Sequence, residues 1–263
     1  VGPDGEIFVS WAGPVGLVFD RSLDQGETWL SEDIFIDSIY GGWNLDIPGI
    51  YRCNGMPVTK CDTSGGAYHG TIYVNWTDQR NGEDDTDVWL SKSTDQGNTW
   101  SQPVRVNDDP AGRHQFFSWM DVDQVTGKIY VVFYDRRNTT GNYTDFYMAV
   151  SEDGGQTFEN VKLNITSFLP NENVFVGDYT NIVVYNGIVR PIWVDMNDIS
   201  LSIKTALIQD TSAVGAQANI FPKQNALQIF PNPVDYTTKM SMKLRDNSMV
   251  TLNVYDLQGR KVN

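Results

Sequence analysis

The feature that most constrains this chain is a repeat. Four tight turns end in Gly5, Gly70, Gly127 and Gly187, at steps of 65, 57 and 60 residues, and each is followed by a short apolar run: "EIFVSW", "TIYVNW", "KIYVVF" and "IVRPIW". An aromatic residue stands six positions after each glycine, at Trp11, Trp76, Phe133 and Trp193. Self-similarity at such a period marks a supersecondary unit that cannot bury its apolar surface alone and has to stack on its neighbours.

The runs inside each unit are β-branched and aromatic, with too little polar alternation for a sheet with one wet face. Taking the post-glycine run as strand B, each unit reads as a preceding run A ("QFFSWMDVD", "TNIVVYN"), then B, a polar loop, run C ("DVWLSKS", "DFYMAVS") and a short run D ("VRV", "VKL"). The expected fold is all-β: a propeller of four-stranded antiparallel blades occupying residues 1–210, with four units visible and strand A missing from the first.

Between C and D an octet recurs, "SLDQGETW" at 22–29, "STDQGNTW" at 93–100 and "SEDGGQTF" at 151–158. Its Asp can accept hydrogen bonds from its own turn, its Gly permits a left-handed backbone and its aromatic residue can plug the turn onto the blade. The octet therefore reads as a hairpin cap. It resembles the Asp-box of the sialidase-like propellers, a likeness covering roughly residues 1–210 and carried by Asp24, Gly26 and Trp29, by Asp95, Gly97 and Trp100, and by Asp153, Gly155 and Phe158. That resemblance implies that the octets are structural and lie on the face away from the site, and that the ring has six blades, so that further blades are expected before Val1. The wording of "GGWNLDIPGIYRCNGMPVTKCD" and "GDYTNIVVYNGIVRPIW" is similar to that of secreted bacterial Asp-box glycosyl hydrolases.

Strand alternation places the A–B and C–D turns on one rim and the B–C loops and D-to-A crossings on the other. Asp78, Arg80, Asn81 and Asp87 recur as Asp135, Arg137, Asn138 and Asp145, which suits a loop-ordering pair in each blade. Rim residues that do not recur are the better site candidates: Trp43, Asp46, Arg52, Arg113, His114, Arg136, Asp178, Tyr179 and Arg190. The resemblance implies a sialidase-like glycoside hydrolase, with Tyr179 as nucleophile and Asp46 or Asp178 as acid. Arg52, Arg113, Arg136 and Arg190, with His114 and Trp43, would bind the substrate. The family's Phe-Arg-Ile-Pro run is absent from this sequence. A plainer glycosidase needs only two suitably separated carboxylates. A non-catalytic propeller that binds glycan or protein at a surface is the alternative.

The formal charge of −14 repels nucleic acid and anionic membranes, and no apolar run is long enough to span a bilayer. Two histidines, His69 and His114, exclude a His-rich metal site, and no cofactor is expected. "NGEDDTD" at 81–87 offers oxygen ligands for Ca²⁺, or is a solvated acidic loop. Cys53 and Cys61 suit a local disulfide, the alternative being two buried thiols.

After residue 210 the composition turns small and polar over 211–225, as in a linker. The segment 226–263 alternates like part of a β-sandwich. Its "IFPNP" and "VTLNVYDLQGRKV" resemble the C-terminal sorting domain of the bacterial type IX secretion system, which implies a secreted or cell-surface protein handled by that machinery in a Gram-negative outer membrane.

Overall fold

The computed structural model describes residues 1–210 and the strand segments 226–230, 239–243, 254–255 and 261–262. The first sheet holds β1 (Ile7–Gly13), β2 (Gly16–Ser22) and β3 (Ile34–Asp37). The second holds β4 (Val58–Cys61), β5 (Ile72–Asp78), β6 (Asp87–Ser93) and β7 (Val104–Arg105), and the third β8 (Gln115–Val122), β9 (Ile129–Asp135), β10 (Asp145–Ser151) and β11 (Glu159–Lys162). The fourth begins with β12 (Asn181–Tyr185), β13 (Ile188–Asn197) and β14 (Ser200–Ala206), while β15 (Ile208–Gln209) runs on beside the start of β13. Strands β16 (Ala226–Phe230) and β17 (Lys239–Lys243) then add to the edge of β14, and β18 (Val254–Tyr255) pairs with β19 (Lys261–Val262). All pairings are antiparallel, and the second and third sheets show the A-B-C-D order read from the repeat. The 211–225 linker and most of the expected C-terminal sandwich lie outside the described residues. Among the described residues no helix is long and apolar enough to cross a membrane.

Three apolar layers lie between successive sheets. Leu17 and Phe19 meet Ile72, Val74 and Trp76 between the first and second. Tyr73 and Leu90 meet Met120, Val131 and Phe133 between the second and third. Tyr134, Phe146 and Met148 meet Ile182, Val184 and Trp193 between the third and fourth. Strands β5, β9 and β10 are buried along their whole length, as runs without polar alternation should be. Strand β12 instead alternates, with Val183 and Tyr185 exposed, so the fourth sheet is covered on one face.

The octets close on themselves as expected. In the second, Asp95 accepts from Ser93 Oγ at 2.7 Å, from the Thr99 N–H at 2.9 Å and from Thr99 Oγ1 at 2.7 Å; Asp24 and Asp153 repeat the pattern. These donors hold all three carboxyls down at about 2. The octets also join blades. Arg21, just before the first octet, donates to Gln96 O of the second, and Lys92, just before the second, donates to Gly154 O of the third at 2.6 Å. A Cβ on Gly97 would enter the Phe19 ring one blade back, and one on Gly155 would lie 2.8 Å from Leu90.

The expected disulfide does not form: both cysteines are free, buried thiols. They belong to different layers, Cys53 to the core between the third and fourth sheets and Cys61 to the core between the first and second. Burial pushes both thiols up, Cys61 to about 11.

Candidate functional site

The crossings at 38–57, 106–114 and 163–180 and the B–C loops at 79–86 and 136–144 gather on the rim opposite the octets, because each leaves or enters the sheets at the ends of B and D. The recurring Asp–Arg pairs order the loops. Arg80 Nε donates to Asp78 Oδ1 at 3.0 Å and Arg137 Nε to Asp135 Oδ2 at 2.8 Å; the guanidinium carbons lie 4.3 Å from the Trp89 ring centre and 4.4 Å from that of Tyr147. A buried amide network ties the second and third sheets: Asn107 Nδ2 donates to Asp87, Asp109 and the Gln115 oxygen, and Gln115 Nε2 to Asp109 Oδ2 at 3.0 Å. Burial raises Asp135 to about 6 despite Arg137.

The non-recurring candidates divide. Arg52 Nε donates to Asp178 Oδ1 at 2.8 Å and its Nη2 to Oδ2 at 2.5 Å, a bidentate pair joining the first crossing to the third. Hydrogen bonding to Asp178, with its charge, raises Arg52 above the usual guanidinium value. Arg52 also lies 5.2 Å from the Phe175 ring centre, and Phe175 meets Tyr51 edge-on at 6.1 Å. Tyr179 is exposed and its ring tilts against Trp119 at 5.5 Å. Trp43 on the first crossing and Arg113 on the second are exposed, and the Arg113 N–H is held by Asp85 Oδ1 at 3.3 Å.

Two candidates lie beneath this surface. His114 is buried with Nδ1 3.0 Å from Thr86 Oγ1; burial lowers its pKa, and the Arg136 charge adds to this against Asp84, Asp85 and Asp46. Arg136 is 2% exposed, donates to Thr144 Oγ1 at 3.1 Å and lies 5.3 Å from the Phe116 ring centre, while its Nη2 is buried without a hydrogen-bond partner. Burial brings it down to about 10. Arg190 stands apart: near the hairpin end of β13, its Nη1 donates to Val189 O at 2.7 Å and Ile208 O at 2.9 Å. The charge in that strand is received by the backbone carbonyls of Val189 in β13 and Ile208 in β15.

Asp46 lines a cleft of about 640 Å³ between the first crossing and the 79–84 loop, with Asn44, Gln79, Arg80, Glu83 and Asp84. Asp84 belongs to the 81–87 segment that reads as Ca²⁺ ligands or as a solvated acidic loop. Only the fold shows that it shares a cavity with Asp46 and that both act on His114. Among the described residues no group of three or more His, Cys, Asp or Glu is placed to hold a metal ion.

Stacked four-stranded sheets with this connectivity make the protein a β-propeller. No protein-family profile and no curated protein matches the chain. Among solved structures it is similar to an α-L-arabinanase of Penicillium chrysogenum complexed with arabinobiose, with TM-score 0.54 and 17% identity over 99% of this chain and 66% of that one. It is also similar to the GH93 α-L-arabinofuranosidase of Fusarium graminearum, with TM-score 0.53 and 16% identity over 89% of this chain and 65% of that one. The chain thus spans less than two thirds of the length of these two structures. At such identities the likeness establishes the fold.

Proposed function

We propose that this protein acts on neutral glycans and hydrolyses glycosidic bonds in the cleft that contains Asp46 and Asp84. The observation that carries the reading is that cleft itself: three carboxylates, three side-chain amides and one guanidinium in about 640 Å³, on the rim where non-recurring residues gather. Hydrolysis needs one carboxyl to protonate the leaving oxygen and a second carboxylate to attack or to activate water. Asp46 and Asp84 take these roles, and Asn44 and Gln79 offer hydrogen bonds to sugar hydroxyls. The arabinan-type ligands of the solved neighbours make neutral pentose chains the first substrates to try.

The narrower sialidase reading has less support. It needs a carboxylate beside the Tyr179 hydroxyl, and among the described residues none contacts it; Arg52 is engaged by Asp178, Arg136 is buried and Arg190 holds carbonyls. Asp178 and Arg52 therefore serve to shape the rim, and Tyr179 with Trp119 to stack against sugar. Exposed Trp43, Tyr51, Phe175 and Tyr179 favour a second reading, a non-catalytic glycan-binding surface.

Turnover of chromogenic arabinofuranosides, xylosides and sialosides by the parent, Asp46→Asn, Asp84→Asn, Asp178→Asn and Tyr179→Phe separates these readings. The expected result is a loss of at least about 100-fold in the first two variants and about tenfold or less in Asp178→Asn. Unchanged turnover in Asp46→Asn and Asp84→Asn would overturn the assignment, and sialoside cleavage lost in Tyr179→Phe would restore the sialidase reading. Export through the type IX machinery to the cell surface is proposed on the two C-terminal segments alone. Retention of the protein inside cells after deletion of 226–263 is the expected outcome, and unchanged export would contradict it.

A further inference from the structure

A second cleft, of about 560 Å³, opens on the same rim between the B–C loop of the third sheet, the third crossing and the β13–β14 turn. Its floor is apolar, made by Phe168, Pro170 and Met196, all buried. Its wall carries the amides of Asn142, Asn171, Asn173 and Asn197 and the half-exposed ring of Tyr143. Among the described residues the side-chain amides of Asn142 and Asn197 and the Tyr143 hydroxyl have no protein partner, whereas Asn171 Oδ1 holds the Asn173 N–H at 2.9 Å. Among the described residues the charged side chains lining the cleft are Glu172 and Asp198, with no Lys or Arg.

The walls are preorganised. Thr144 N donates to Phe168 O at 2.7 Å and Phe168 N returns to Thr144 O at 3.0 Å, clamping the loop to the crossing. Thr139 Oγ1 donates to Tyr143 O at 2.5 Å, which fixes the backbone that carries the ring. A cleft already held open loses little entropy on filling.

An apolar floor, one aromatic face and free amides that each donate and accept match a sugar, whose C–H face is apolar and whose hydroxyls both donate and accept. The two carboxylates and the overall charge of −14 oppose uronates and sialates. Position adds the last step. Pro48 lines the Asp46 cleft and Gly49 lines this one, so the clefts lie on either side of one backbone segment. A Cβ on Gly49 would come 2.9 Å from Asn142 Nδ2, so glycine there lets the wall stay thin.

We propose that this cleft is an accessory subsite that holds the far end of an uncharged oligosaccharide, so that the protein recognises chains rather than single sugars. Its link to cleavage rests on the glycan reading above, but its occupancy does not. Calorimetric titration with xylotetraose, arabinotetraose, cellotetraose and tetragalacturonate tests it. At least one neutral tetrasaccharide should bind, at least tenfold more tightly than its disaccharide and than tetragalacturonate. Tyr143→Ala/Asn197→Ala should weaken that binding at least tenfold. Glu172→Gln/Asp198→Asn, two exposed positions whose replacement leaves packing intact, should narrow the gap between neutral and anionic chains to about threefold. Failure of every neutral tetrasaccharide to bind, or equal binding by the Tyr143→Ala/Asn197→Ala variant, or no preference over tetragalacturonate, would overturn the proposal. Binding that follows these expectations without any turnover would remove the hydrolase reading and leave the subsite standing.

Discussion

Arg136 is held inside the protein without a carboxylate to balance it among the described residues, and one of its guanidinium nitrogens has no hydrogen-bond partner. A charge in that position is costly unless its surroundings compensate, and among the described residues Thr144 Oγ1 and the Phe116 ring do so. Arg136→Met should therefore leave the thermal midpoint unchanged or raise it by up to about 4 °C, since replacing a buried charge by an apolar side chain is often neutral or stabilising. The same change removes the positive neighbour that depresses His114, so the imidazole pKa, followed by NMR, should move up toward its ordinary 6.5. A midpoint lowered by 5 °C or more, with His114 unmoved, would contradict this picture. The sequence shows Arg136 in a rim loop but not its depth, and the structure buries it. An arginine three positions before a loop's Thr-Thr looks the same whether it points out or in, and packing against Phe116 decides.

The octets are the elements in which local sequence and structure agree most closely, since every bond they need is made within eight residues or to the adjoining blade. Their carboxyls sit at about 2 in the folded protein against an ordinary 3.8. A depressed carboxyl contributes stability that is fully present above about pH 4 and is lost as pH falls through about 2. Thermal midpoints recorded from pH 5 to pH 2 should fall most steeply below pH 4, and Asp95→Asn should flatten that fall; an unchanged profile would remove the octets from the acid response. The contact between blades is tested by Gly97→Ala. At φ of 88° and against Phe19 it should cost about 2–4 kcal/mol. Gly112→Ala, at φ of 92° but with open space around it, should cost about 1 kcal/mol. Equal losses would mean that backbone strain, not interlocking, is what Gly97 avoids. The cysteines were less legible. Eight residues of separation suit a bridge, but the chain between them crosses from one apolar layer to another, a fact of tertiary packing with no local mark.

At the scale of the whole molecule the repeat was enough to order the strands and to separate the two rims, because antiparallel strands admit only one alternation. It did not reveal which rim carboxylates share a cavity. Asp46 and Asp84 lie on loops of different blades, and Asn142 and Asn197 come from different sheets, so their meeting depends on how sheets are rotated against each other. On the proposed reading, ligands are handled on the crossing rim while the octet rim holds the ring together. Amide hydrogen exchange of the full chain, with and without saturating neutral tetrasaccharide, measures this directly. Slowed exchange is predicted at 41–49, 79–84 and 167–173, with the octets at 22–29, 93–100 and 151–158 unchanged. Protection confined to the octets, with the crossings unaffected, would contradict the account.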